Sequence, residues 1–294
     1  MDDHAEIKEF LASRRARITP EQAGLPAYGG HRRVKGLRRE EVAMLAGVSV
    51  DYYVRLERGN LSGASDSVLD GVARALHLDD AERQYLHDLA RRAPAPAAAR
   101  RRAPARRLRP ALQYMLDAIG DAPAFIHNER QDLLITNHLA RALYAPLLAD
   151  PRRPANIARF IYLDPAARAF LPDWDRAADD IAAMLRGEAG RNPYNKDLSD
   201  LIGELSTRSE IFRKRWAAHN VRQHRTGPKK LHHPAVGELE LNFETMSLSS
   251  DAALTLVIYT AAPGTSSADA LRLLSAWAAT QDQTEPDTTK ERNI

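Results

Sequence analysis

The sequence contains no cysteine, which removes disulfides, thiolate nucleophiles and thiolate metal sites at once and fits a reducing compartment. Aromatic residues make up only 6% of the chain, so the course of each is worth following. No apolar run approaches the length of a membrane span, and Met1 leads into Asp2, Asp3 and Glu6 instead of a basic and then apolar leader. The expectation is a cytoplasmic protein with no membrane partner. A Gly-rich phosphate loop, a nucleophile elbow and an HExxH pattern are all missing. The acidic pairs Glu40 and Glu41, Asp79 and Asp80, and Asp179 and Asp180 fall on expected helices, where dipole and solubility account for them. Nothing calls for catalysis, and no cofactor is expected.

The chain has 294 residues, 44% hydrophobic and 28% charged, the proportions of a globular protein with room for two modest domains. A net charge of +3 says little by itself. Its distribution says more: basic residues crowd the first third, at Arg14, Arg15, Arg17, Arg32, Arg33, Lys35, Arg38 and Arg39, and return between Arg91 and Arg109.

The segment from Gly36 to Gly59, GLRREEVAMLAGVSVDYYVRLERG, organises the rest. Arg38 to Ala46 has a helical apolar period at Val42, Leu45 and Ala46, and Gly47 breaks it. A second helix starts at Ser49, whose hydroxyl suits an N-cap, and stops at Gly59. Ala43 at the crossing, Gly47 in the turn, and Val48, Tyr53 and Leu56 as angle-setting residues meet the demands of a helix-turn-helix. An ordinary helical hairpin would meet fewer of them. Ser49, Val50, Asp51, Tyr52 and Arg55 are expected at or beside base edges in a major groove, with Arg38 and Arg39 on phosphates. Val50 suits a thymine methyl. His31, Arg32, Arg33 and Lys35, in a long Pro- and Gly-containing connection, read either as an arm on the DNA or as a plain surface loop.

On these residues, LRREEVAMLAGVSVDYYVRLERG resembles the helix-turn-helix of XRE-family bacterial repressors. More narrowly it resembles regulators whose C-terminal half is an MmyB-type ligand-binding domain. Further along, RWAAHNVR, KKLHHPAVGELELNFE and IYTAAPG carry the second part of the likeness.

Around this motif, a first amphipathic helix is expected from Asp3 to Ile18, with Ile7, Phe10 and Leu11 buried. Two more follow, capped by Ser65 or Asp66 and by Asp79. These make an all-α domain over residues 1–92. An Arg-, Pro- and Ala-rich linker occupies 93–109. Over 110–280 a helix, a short hairpin, a run of helices (137–149, 156–170, 174–186, 197–207 and 209–219), three strands and a last helix give an α+β domain. Its sheet joins sequence-distant parts. That is the layout of PAS-like sensors, and the resemblance implies the same fold. Residues 281–294 form a polar tail.

In such a domain an apolar pocket lies between sheet and helices. Phe125, Phe160, Trp174, Phe212, Trp216, Phe243 and Tyr259 are candidates to line it, with Asn137, Arg159 and His219 as polar anchors; plain core packing is the competing reading for each aromatic. The resemblance implies a small apolar or fatty-acid-like effector. His219, His224, His232 and His233 match no ligand spacing, and adjacent strand residues point to opposite faces, so no metal site is expected. The combined expectation is a homodimer on palindromic double-stranded DNA, responsive to a small-molecule effector and acting as a repressor. Two alternatives stay open: a C-terminal protein-interaction module, as in an antitoxin, and a metal-dependent enzyme fused to a DNA anchor.

Overall fold

The computed structural model describes residues 3–25, 34, 36–91, 108–192, 195–218, 220 and 226–284. Its first part is helical: α1 (Asp3–Arg17), α2 (Arg39–Ala46), α3 (Val50–Glu57), α4 (Asp66–Ala75) and α5 (Asp80–Ala90). Local chemistry sets their ends. The Ser49 hydroxyl accepts the Tyr52 amide at 3.2 Å, and Ser65 serves Val68 likewise. Asp79 accepts from the Glu82 amide at 2.8 Å while the Glu82 carboxylate accepts from the Asp79 amide at 3.2 Å, a reciprocal capping box.

Phe10, Leu11, Val42, Tyr53, Leu56, Leu69, Val72, Tyr85 and Leu86 form the core of these helices, and Phe10 meets Tyr85 edge to face at 5.0 Å. Two glycines permit the close approaches. A Cβ on Gly71 of α4 would stand 2.6 Å from the Ala46 carbonyl oxygen at the end of α2, and one on Gly59, at φ +101°, 2.5 Å from the His4 carbonyl oxygen. Leu45 departs from expectation. It is exposed, because α2 turns Val42, Ala43 and Ala46 inward and leaves Met44 and Leu45 outside.

The second part begins with α6 (Pro110–Asp117), β1 (Ala124–Asn128) and β2 (Leu133–Thr136) and ends with β3 (Thr226–His233), β4 (Gly237–Leu248), β5 (Asp251–Thr260) and α14 (Ser266–Thr284). Between them lie α7 (His138–Leu143), α8 (Ala145–Leu148), α9 (Ile157–Leu163), α10 (Ala166–Phe170), α11 (Trp174–Arg191), α12 (Lys196–Arg208) and α13 (Glu210–Ala217). The strands form one sheet in the order β2-β1-β5-β4-β3, with antiparallel pairing throughout. Leu112 and Leu116 of α6 cover Ala124, Ile126, Ile135, Leu254 and Leu256 on one face. Register puts Phe125 beside Val257 and Phe243 beside Tyr259 on the opposite face.

Two expected helices are each broken by a proline. The segment 137–149 divides at Tyr144 into α7 and α8, and 156–170 divides at Asp164 and Pro165 into α9 and α10. A proline has no amide hydrogen for the carbonyl four residues back. At Pro146 that carbonyl is Ala142, and the His233 Nε2 donates to it at 3.1 Å. At Pro165 it is Ile161, and the Trp174 indole donates to it at 2.9 Å.

Packing divides the chain into two compact units. One holds the described residues of Met1–Arg102, Ala182–Ser206 and Glu210–Gln223; the other holds those of Ala103–Ile181, Thr207–Ser209 and His224–Ile294. Part of the segment 110–280 therefore packs with the N-terminal helices. The reason is a buried polar knot. Arg186 on α11 and Glu6 on α1, each with a side chain 2% exposed, form an ion pair at 3.4 Å. Tyr85 donates its hydroxyl to the same carboxylate. Arg186 also donates to the Trp216 carbonyl at 2.5 Å, and its guanidinium lies 3.9 Å over the Trp216 ring. That ring stacks on Phe212 at 5.6 Å.

A charge left alone in so dry a site is costly. Arg186→Ala should lower the unfolding free energy by about 3–5 kcal/mol in urea titration, and the joint change of Glu6→Leu with Arg186→Met should cost clearly less.

Burial holds both His127 and His233 below the ordinary imidazole value, against the opposing pull of Asn128 and Asp132 on the first and of the Ala142 carbonyl on the second. His233 is also committed as a neutral ring, since its Nδ1 accepts the Ala235 amide at 3.2 Å. Unfolded histidine takes up its proton near about 6.5. Below that pH the unfolded chain therefore binds more protons than the folded one, and stability falls. The melting temperature should drop between about pH 7.5 and 5.5, with His233→Gln flattening the slope.

Candidate nucleic-acid interface and sensor core

The angle between α2 and α3 is fixed by Glu57, the last residue of α3, whose side chain is 3% exposed. Its Oε1 accepts from Arg15 on α1, Nε at 3.0 Å and a terminal nitrogen at 2.8 Å, while Arg15 also donates to the Leu37 carbonyl at 2.9 Å. Its Oε2 accepts from the Arg39 Nε. Three helices thus converge on one carboxylate.

Arg39 was expected on phosphate. Its Nε serves Glu57, and with a side chain 54% exposed its terminal nitrogens remain at the surface. Arg38 is the N-cap residue of α2, exposed beside Glu40 at 3.7 Å, and its amide donates to Glu41 at 2.6 Å. On α3, Val50 is 44% exposed, Asp51 and Arg55 are exposed, and Tyr52 is half-buried. The Arg55 guanidinium lies 4.6 Å from the centroid of the Tyr52 ring. Ser49 is exposed and engaged as cap. Ser49, Val50 and Asp51 are exposed at the start of α3 and Arg55 in its last turn, and Gly47, at φ 71°, makes the turn between α2 and α3. Arg32, Arg33 and Lys35 lie outside the described residues. Glu57 was missed: a glutamate between Leu56 and Arg58 reads as a solvated helix end, and only the arginines of two other helices make it a buried anchor.

On the inner face of the sheet, Phe125, Phe160, Phe243 and Tyr259 gather with two residues not foreseen, Tyr144 and Phe170. Ring centroids lie 5.4 Å apart for Phe125 and Tyr144, 5.9 Å for Phe160 and Phe170, and 6.1 Å for Phe243 and Tyr259. At the centre the Tyr144 and Tyr259 hydroxyls meet at 2.7 Å. Burial pushes the Tyr259 phenol up to about 12, and burial together with Tyr259 raises Tyr144. The signal for Tyr144 was present, one turn after Ala140 and before Leu147.

Other candidates serve elsewhere. Asn137 is fully buried, but its side chain caps α7 at Ala140, accepts the Ala124 amide and donates to the Ile119 and Ala122 carbonyls, which spends it on the fold. Trp174 packs against Tyr162 at 6.4 Å with Arg168 over its ring. Phe212 and Trp216 belong to the Arg186 knot and not to the sheet. Arg159 lines a cavity of ≈ 20 Å³ with Asn156, Phe160 and Asp164, room for about one water molecule. His219 and His224 lie outside the described residues, while His232 is exposed and His233 buried. No helix among the described residues is long and apolar enough to cross a membrane.

Residues 108–274 match the family model described as "MmyB-like transcription regulator ligand binding domain", and residues 9–86 match the model described as "Helix-turn-helix domain". No curated protein matches the chain. The first match spans more than half of the sequence and the second covers the reader built on Glu57, so the chain belongs to the MmyB-like transcription regulators, in which an XRE-family helix-turn-helix is fused to a ligand-binding domain.

Proposed function

We propose that this protein is a one-component repressor that binds a palindromic operator as a homodimer and is released or engaged by a small apolar effector. The observation that carries the DNA part is the exposure of Val50 and Asp51 in the first turn of α3 and of Arg55 in its last, on a helix pair that Glu57 ties together. One such helix spans few base pairs, so a two-fold pair is the economical way to reach specificity. Arg38 and the outer part of Arg39 serve the phosphate backbone, and Ser49, exposed at the N-cap of α3, stands beside the base-reading residues.

The sensor part rests on a five-stranded antiparallel sheet in the order β2-β1-β5-β4-β3 with its helices inserted between β2 and β3, which supports a PAS-like fold. The aromatic cluster is where an apolar effector enters. Two hydroxyls carry two protons, and only one can lie between Tyr144 and Tyr259. The other is available to an acceptor on the effector. Arg159, beside Phe160 in the small cavity, stands at the margin of this region. Coupling to DNA requires that the effector bind the two arrangements of the dimer unequally.

One observation favours a second reading. The cluster is closely packed, and the cavity beside Arg159 has only ≈ 20 Å³, as suits a domain that answers to a protein partner, in the manner of an antitoxin. Native mass spectrometry with extraction of bound small molecules separates the two. A dimer carrying a stoichiometric apolar molecule supports the sensor; an empty dimer that titrates with no apolar compound shifts the assignment to a protein partner.

For the DNA surface, Arg38→Ala should weaken binding to all duplexes alike and reduce the slope of log affinity against log salt by about 1, whereas Asp51→Ala should change which sequence is preferred. An unchanged salt slope in Arg38→Ala would remove that residue from the phosphate contacts. Arg39→Ala should combine weaker binding with a lower melting temperature, since it also strips Glu57 of a partner.

A further inference from the structure

Tyr52 and Arg55 are three residues apart on α3, so they share a face of the helix. The Tyr52 ring is half-buried, its inner side packed on the helical core, and the Ser49 cap on its amide fixes where the first turn begins. The Arg55 guanidinium sits 4.6 Å from the ring centroid. Among the described residues Arg55 enters no ion pair, in contrast to Arg15 and Arg39, which Glu57 holds. With the guanidinium carbon over the ring and no side-chain ion pair or hydrogen bond to the described residues, the N–H groups of Arg55 stay open to a partner outside the chain. Those groups can make two parallel hydrogen bonds to guanine O6 and N7 in a major groove.

We propose that Arg55 is the residue that reads a guanine in each half-site, and that Tyr52 is a positioning residue that holds the guanidinium for it without reading a base itself. The proposal rests on the DNA-reading assignment above and adds the base and the division of labour. A free arginine loses much rotamer freedom on contact, and stacking on a ring already fixed by the core removes part of that loss beforehand. The geometry also explains why the aromatic residue is only half-exposed. Its buried side belongs to the fold and its outer side to Arg55.

The test is selection of binding sites by the full chain from a randomised duplex pool, followed by affinity measurements on the selected site with guanine kept or replaced. The unaltered chain should enrich a guanine at one fixed position of each half-site. Arg55→Ala should lower that preference on the order of tenfold. Tyr52→Leu, which keeps apolar packing but removes the ring face, should lower it about two- to fivefold, with Tyr52→Met as a second, differently packed variant. Tyr52→Phe should retain it. In the Arg55→Ala background, Tyr52→Leu should cause no further loss, which a purely structural role for the ring does not predict. The inference is overturned if Tyr52→Leu and Tyr52→Met leave the guanine preference unchanged, if Tyr52→Phe abolishes it, or if the preferred site holds no guanine that depends on Arg55. The absence of any sequence preference in the unaltered chain would instead overturn the DNA-reading assignment underneath it.

Discussion

One carboxylate holds the reading head together. Glu57 receives Arg15 from α1 and Arg39 from α2 while belonging to α3 itself, and its side chain is almost wholly withdrawn from water. Apolar packing of Val42, Tyr53 and Leu56 brings the helices into contact, but dispersion and burial are nearly non-directional. The forked geometry of two arginines on one acid is directional, and it sets how α2 and α3 meet. The presentation of Val50, Asp51 and Arg55 follows from that angle. Arg39 therefore faces two ways, its Nε inward on Glu57 and the rest of its half-exposed side chain toward solvent.

The second unit depends on a different constraint, the closing of a sheet from parts far apart in the chain. β1 pairs with β5 from Ala124 against Ile258 to Asn128 against Leu254, across all the intervening helices. Such pairing is entropically expensive to reach and is secured by a continuous apolar strand at the centre. The run from Leu254 to Tyr259 supplies it, giving Leu254 and Leu256 to the α6 side and Val257 and Tyr259 to the aromatic cluster. On β4 the strict alternation of buried Leu239, Leu241 and Phe243 with exposed Glu238, Glu240 and Asn242 turns only one side to the core.

Features fixed by neighbours in the chain were legible beforehand. Ser49, Ser65 and Asp79 cap where their side chains and the following apolar period require, and the alternation on β4 fixes its faces. Features fixed by distant partners were not. Leu45 satisfies a helical period, yet which flank of α2 is covered depends on where α4 lies. Asn137 has the composition of a ligand anchor, and only the carbonyls of Ile119 and Ala122 reveal it as a brace. Phe212 and Trp216 read as pocket residues by type, but Arg186, paired with Glu6 180 residues away in the chain, draws them into the N-terminal unit. The helical period marks Tyr144 as an inward residue, but its pairing depends on a second hydroxyl on β5. The two broken helices carried their own warning in Pro146 and Pro165, and the apolar period running through both prolines masked it.

Those two breaks leave gaps in the backbone ladder, and each gap is filled from outside the helix. At each break a side-chain donor from elsewhere takes the place of the missing amide: the His233 imidazole on the Ala142 carbonyl and the Trp174 indole on the Ile161 carbonyl. Each break is thus braced from outside its own helices by a ring, one on an edge strand and one at the start of α11, which adds to the Tyr144–Tyr259 hydroxyl contact at the first break and the Phe160–Phe170 ring contact across the second.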